Sequence, residues 1–125
     1  MGLLSRLLGH ASEADIESVE NTLEHALADD ENVEKAFQLM RDLIIFTNRR
    51  MILIDRQGMT GRKTEYHSVP YRAITHFSVE SAGTFDLEAE LKIWISSTRD
   101  PIQKTFSRGQ TIFEVQKALA AYVGR

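Results

Sequence analysis

The chain has 125 residues, about the span of one domain, and 42% of them are hydrophobic, enough for a core and too many for a disordered tail. It has no cysteine, which excludes thiol nucleophiles, disulfide redox chemistry and thiolate metal sites. The formal net charge of -3 is unevenly divided: residues 1–34 hold nine acids and one base (net -8), and residues 35–125 hold fourteen bases and nine acids (net +5). Either an acidic leader lies against a mildly basic body and the charges compensate, or the body meets an external anion.

The first stretch, "MGLLSRLLGHASEAD", carries Leu3, Leu4, Leu7 and Leu8. Its apolar run is too short and interrupted for a spanning helix, and it lacks the basic start and long apolar run of a signal peptide. Arg6 stands where a myristoylation pattern after Gly2 wants serine or threonine. These features predict a cytoplasmic protein with neither export signal nor anchor. The four leucines need cover, from the body or from another subunit.

A helical leader is expected over residues 1–28. Ile16, Val19, Leu23, Ala26 and Leu27 recur at helical spacing, Ser12 and Asp15 resemble a cap, and Glu13, Asp15 and Glu17 suit a helix start. "DDEN" at 29–32 reads as a loop. The periodicity then changes, and strands are predicted near 34–40, 42–47 and 50–55. "RQGMTG" is a connection with Gly58 and Gly61, and "KTEYHSVPY" a strand closed by Pro70. "ITHFSVES" is a further strand, in which His76 would share a face with Ile74 and Ser78.

"FDLEAELKIWISS" alternates strictly. Leu87, Ala89, Leu91, Ile93 and Ile95 share one face, and Glu88, Glu90, Lys92, Trp94 and Ser96 the other, the pattern of a half-buried antiparallel strand. "PIQKTFS" is the return strand. "TIFEVQKALAAYVGR" predicts a helix over about 110–123, its buried stripe Ile112, Val115, Leu119 and Tyr122 or Val123. Seven short antiparallel strands cannot leave long open edges without an aggregation cost. Curling into a barrel or orthogonal sandwich, plugged by the last helix, is the economical solution and the architecture of a pleckstrin-homology superfold.

Two stretches carry a closer resemblance: "DLIIFTNRRMILIDRQGMTGRKTEYHSVPYRAITHFSVESAG" and "FDLEAELKIWIS". Phe46, Thr47, Asn48 and Arg50 match first, then Gly58, Gly61, Tyr66, Pro70 and Tyr71, then Phe77, Glu80, Phe85, Leu87 and Trp94. The sequence resembles the bacterial pleckstrin-homology (PH) domain family, first grouped as a domain of unknown function. The resemblance implies a mainly β fold, a seven-stranded antiparallel PH-like barrel capped by a C-terminal helix and preceded by the short acidic helical leader. It implies a single domain over 1–125, with 1–28 as leader and about 33–124 as barrel and capping helix. It further implies ring-like homo-oligomers, and no established ligand or enzymatic activity.

No catalytic constellation is legible. His10, His25, His67 and His76 lack short ligand spacing to one another, and no serine sits in a nucleophile elbow. Asp86, Glu88 and Glu90 form a solvated row along one strand face, and "GMTGRK" lacks the full phosphate-loop pattern. No enzyme, metal or cofactor is expected.

Five bases crowd into residues 49–63: Arg49, Arg50, Arg56, Arg62 and Lys63. One strand separates Arg49 from Arg56, roughly 23 Å at about 3.3 Å per residue, so they cannot grip one headgroup together. Arg56, Arg62 and Lys63 remain a smaller anion candidate. Solvation, or pairing with a partner's acids, is the plainer account. Binding of membrane lipid is therefore not expected, nor is nucleic acid, because aromatics do not interleave with bases and the leader's acids repel a phosphate backbone.

Trp94 lies on the polar face of its strand. It either stacks under another segment of its own chain or meets a second subunit. With Leu3, Leu4, Leu7 and Leu8 it forms the candidate set of oligomer contacts. The leading expectation is a structural or scaffolding homo-oligomer larger than a dimer, with other proteins as further partners left open. The alternative is a peripheral anion or phospholipid headgroup-binding domain.

Overall fold

The structure, a computed structural model, describes residues 16–39, 42–57, 63–81, 88–106 and 112–124, with Arg56, Gln57 and Ser81 described by backbone alone. In order these carry α1 (Ile16–Thr22), β1 (Val33–Leu39), β2 (Asp42–Thr47), β3 (Arg50–Gln57), β4 (Lys63–Pro70), a 3-10 turn (Tyr71–Ala73), β5 (Ile74–Ser81), β6 (Ala89–Ile95), β7 (Ile102–Phe106) and α2 (Ile112–Val123). The strands form two antiparallel sheets, β1-β2-β3-β4 and β5-β6-β7. Two compact units divide between Val69 and Pro70.

In the first unit the run "IIFT" explains the packing. Ile44, Ile45, Phe46 and Thr47 are all buried, without the alternation of a strand that has one wet face. The reason is a second cover. Ile45 lies opposite Ile52, and Leu43 opposite Ile54, on one face of the sheet. That face packs with Ala36 and Val33 against Val19 and Leu23 of the leader, with Ile16 and Leu27 at its margin. Ile44, Phe46, Met51 and Leu53 are buried on the opposite face, where Phe37 meets Phe46 edge-on at 6.2 Å between ring centroids. Burying Val19 and Leu23 contributes roughly 1.5–3 kcal/mol each.

The leader helix ends earlier than its apolar spacing predicts. It ends at Thr22, whose hydroxyl donates back to the Ser18 carbonyl, and residues 23–26 continue as turns. Ala26, placed on the buried stripe by its spacing, is exposed. Its carbonyl is instead drawn to Arg50, and the chain leaves the helical path to reach the tip of β2 and β3. The part of the leader expected over residues 1–15 lies outside the described residues.

The second unit follows its sequence pattern more closely. Leu91 and Ile93 of β6 are fully buried, and Trp94 and Lys92 face the other way, half-buried. α2 buries Ile112, Val115, Ala118, Leu119 and Tyr122, and packs against β5 and the 3-10 turn, where Tyr71 stacks on Tyr122 at 5.1 Å. Of the two expected candidates Tyr122 and Val123, Tyr122 is the buried one. In the turn after β6, Ser97 takes a left-handed φ of 68°, and the Ile95 carbonyl accepts both the amide and the hydroxyl of Thr98. β5 departs from simple alternation. The register shifts between Ile74 and His76, so Ile74 lies opposite Ile95 and is buried, whereas His76 lies opposite Trp94 and is exposed. His76 and Ile74 thus do not share a face: the extra residue of the bulge reverses the phase.

Candidate functional site

Polar side chains converge most densely at the tip between β2 and β3, where "TNRR" (residues 47–50) meets "DDEN" (29–32). Glu31 is the centre. Its side chain is only 1% exposed, and it takes Arg50 in a two-pronged pair, Nε to Oε2 at 2.8 Å and Nη2 to Oε1 at 2.9 Å. The Thr47 hydroxyl donates to Oε2 at 2.6 Å, and the Ala28 amide donates to Oε1 at 3.0 Å. Four donors fill the acceptor capacity of a carboxylate. The hydroxyl of Thr47 also accepts the amides of Arg49 and Arg50 at 3.0 and 2.9 Å, which closes the tip of the hairpin.

Arg50 is equally occupied. Besides Glu31 it donates to the Ala26 carbonyl and to Ser68 Oγ, both at 2.8 Å, so it joins leader, loop, β3 and β4. Asn48 reads the loop backbone in both directions: its amide nitrogen donates to the Asp30 carbonyl, and its side-chain oxygen accepts the Asn32 amide. Arg49 pairs with Asp30 at the exposed rim, and this pairing lowers the Asp30 carboxyl below its ordinary value. Arg49 and Arg50 are thus paired with acids of the loop just ahead of β1, within the acidic first 34 residues of their own chain.

The hydrogen bonds from Arg50 lower the Glu31 pKa from 4.5 to about 2, against the opposing effect of burial, with Thr47 and the Ala28 amide assisting. A carboxylate whose folded pKa is depressed stabilises the fold fully above its unfolded pKa and loses that contribution as pH falls through the folded value. The shift corresponds to about 3 kcal/mol. Acid titration of unfolding stability should therefore fall between about pH 5 and pH 2, and a Glu31→Gln chain should lack most of that slope. An acid limb unchanged in the variant would remove Glu31 from this role.

Lys63 begins β4 and is exposed, Arg56 is described by its backbone in β3 only, and Arg62 lies outside the described residues. Leu3, Leu4, Leu7 and Leu8 also lie outside them, as does Asp86 of the acidic row. Among the described residues, no group of three or more acids or histidines could hold a metal ion. No helix among them is long and apolar enough to cross a membrane.

Trp94 has a partner in its own chain. Its ring stacks on His76 of β5, 4.3 Å between centroids and 14° from parallel, and His76 Nδ1 lies 3.1 Å from the Thr75 hydroxyl. This pair sits on the face of β5-β6-β7 opposite Leu91 and Ile93, among Ser78, Lys92, Gln103 and Thr105. Tyr66 of β4 and Phe113 of α2 are exposed large hydrophobic residues, 51% and 58% accessible.

The saturated role of Glu31 was not legible in the sequence, where "DDEN" reads as solvated loop. The available signal was the coincidence of Thr47, Asn48 and Arg50 in one turn with three acids just ahead of the first strand. The His76 contact was hidden by the bulge.

Seven antiparallel strands in two sheets, with a short helix before them and a C-terminal helix after, make a mainly β, PH-like fold. The Bacterial PH domain family matches residues 2–123, and the chain belongs to that family. It is 48% identical to the pleckstrin homology domain of Shewanella amazonensis SB2B, a crystal structure that superposes with a TM-score of 0.85 over 96% of this chain and 97% of that one. A DUF1696 family protein with a pleckstrin-homology domain from Shewanella loihica is 46% identical, with a TM-score of 0.78 over 90% and 96%. Among curated proteins, uncharacterized protein YjqA of Bacillus subtilis is 52% identical over 122 residues, 97% of this chain and 98% of that protein.

Proposed function

We propose that the chain is a non-catalytic, self-associating PH-like module, a closed homo-oligomer larger than a dimer that serves as a structural scaffold in the cytoplasm. The observation that carries this reading is the half-buried Trp94 stacked on His76 in an otherwise polar sheet face. Tryptophan supplies large apolar area at interfaces, and here it is held rigid by its neighbour, so little side-chain freedom is lost when it is covered. The polar cluster around Glu31 supports the non-catalytic part. Its carboxylate is saturated by four donors from the chain itself, so the cluster binds its own loop. Ring closure is supported by the family resemblance, and Leu3, Leu4, Leu7 and Leu8 remain proposed contacts beside Trp94.

Native mass spectrometry from nanomolar to high micromolar protein tests the reading. The expected result is one closed species larger than a dimer, shifted toward smaller species by Trp94→Ala. A monomer throughout the range would end the proposal. An assembly indifferent to Trp94→Ala would leave assembly standing and remove Trp94 from its contacts.

A further inference from the structure

Thr75, at the bulge of β5, fixes the position of one proton. Its hydroxyl oxygen lies 3.2 Å from the Trp94 carbonyl and 3.1 Å from His76 Nδ1. A carbonyl only accepts, so the single hydroxyl proton goes to Trp94. The hydroxyl oxygen is left to accept from Nδ1, and the neutral imidazole carries its proton there. Nε2 is then the atom with the lone pair. It has no hydrogen-bond partner among the described residues, and His76 is exposed.

A ring N–H anchored to an oxygen sets the tautomer and raises the basicity of the other nitrogen, the condition of a metal ligand or a nucleophile. A metal ion needs further ligands. The neighbours of His76 on this face are Ser78 on its own strand, Trp94 opposite and Lys92 on the diagonal, and they supply no such set. They suit attack on phosphorus instead. Diagonal cross-strand neighbours lie about 7–8 Å apart, so the long Lys92 side chain reaches a phosphoryl group on His76. Lys92 makes no ion pair among the described residues, and Ser78 and Gln103 on either side of it are further donors to phosphoryl oxygens. The carboxylates of Glu80 and Glu90 oppose each other one pair farther along, beyond Lys92. The indole of Trp94, stacked at 4.3 Å, favours a ring that becomes cationic.

We infer that His76 Nε2 is a phosphoryl-acceptor site for donors that carry a phosphorus–nitrogen bond. The Nε2 lone pair attacks phosphorus and forms the new N–P bond. The donor's own P–N bond breaks, and its nitrogen, already protonated, leaves as the free amine with the bonding electrons. The imidazole keeps its Nδ1 proton on Thr75 and becomes an imidazolium beside the phosphoryl anion. The chain is the acceptor in this step, and the inference does not rest on self-association.

Potassium phosphoramidate is the probe, applied to dilute native chain, with phosphohistidine located by mass spectrometry of peptides. His25 is the internal reference, because its side chain is 96% accessible and its ring nitrogen lies 3.8 Å from Glu24. His76 should be phosphorylated about tenfold faster than His25. Thr75→Val keeps the branched shape and removes the hydroxyl, and should bring His76 down to the rate of His25. Thr75→Ser should restore the preference. Trp94 is the only tryptophan of the chain, so its emission should change as His76 is modified and stay constant as His25 is. Lys92→Gln should slow the reaction about fivefold, the upper end for an exposed ion pair, and leave carbethoxylation of His76 by uncharged diethyl pyrocarbonate unchanged.

Phosphorylation of His76 no faster than that of His25 would overturn the inference. So would a preference that survives in Thr75→Val, because the anchored proton would not be its cause. Equal effects of Lys92→Gln on both reagents would leave a reactive imidazole and overturn its assignment to phosphoryl groups. Circular dichroism on each variant confirms that the fold is kept, as expected for substitutions on an exposed sheet face.

Discussion

Replacing Arg50 with methionine should lower unfolding stability by about 3 kcal/mol, seen as a reduced urea midpoint at unchanged slope. Methionine keeps the apolar stem of arginine and removes the fork. Glu31, 1% exposed at its side chain, then stays buried with two of its four donors gone. Removing one partner of a buried pair typically costs about 3–5 kcal/mol, and the partial exposure of Arg50 places this pair at the lower end. The Ala26 and Ser68 contacts are lost with it. The same variant should lose much of the acid-dependent slope, because the guanidinium is the main cause of the depressed Glu31 pKa. Adding Glu31→Gln should recover part of the loss, since the orphaned charge disappears. A cost below about 1 kcal/mol would class the pair with ordinary surface ion pairs and remove the cluster from the account of stability.

Leu23→Ala should cost about 2–5 kcal/mol. Leu23 is 1% exposed and is packed with Val19, Ala36, Ile45, Ile52 and Ile54, so truncation leaves a hole between leader and sheet. The informative measurement is hydrogen exchange beside the urea melt. If leader and sheet unfold together, amides of both β2 and α1 should lose protection in the variant. If α1 amides alone are affected and the global midpoint is unchanged, the leader is a separable appendage and the outer cover is not part of the cooperative core.

The legible part of this fold was the part whose burial follows one period. β6 and α2 each have one wet face, and their alternation and their 3.6-residue stripe appear directly in Ala89–Ile95 and Ile112–Tyr122. α1 was legible as a helix, but its end at Thr22 was not, and neither was the hydrogen bond from Arg50 to the Ala26 carbonyl across 24 positions. β5 misled by one residue, since a bulge changes phase without changing composition. The polar cluster was half legible. Thr47, Asn48 and Arg50 stood out together, yet their partners Asp30 and Glu31 lie 16 to 19 positions earlier, in a stretch whose four polar residues look solvated. Reach of that kind is set by the tertiary path of the chain, and residue spacing does not encode it.

The cover that α1 lays over β1, β2 and β3 also decides where this sheet can change. Residues of β2 and β3 that would be a free outer face in a two-layer arrangement are interior here, so substitutions at Ile45, Ile52 or Ile54 carry core costs. β4 lies outside that restriction, with five of its first six residues exposed. A lineage or a protein engineer could rewrite positions 63–67 almost freely and alter the chemistry the strand presents while the stability of the fold stays nearly constant, with Ser68 excepted because it meets Arg50. Substitutions that change the surface of this sheet at little cost to the fold are therefore concentrated on a single strand.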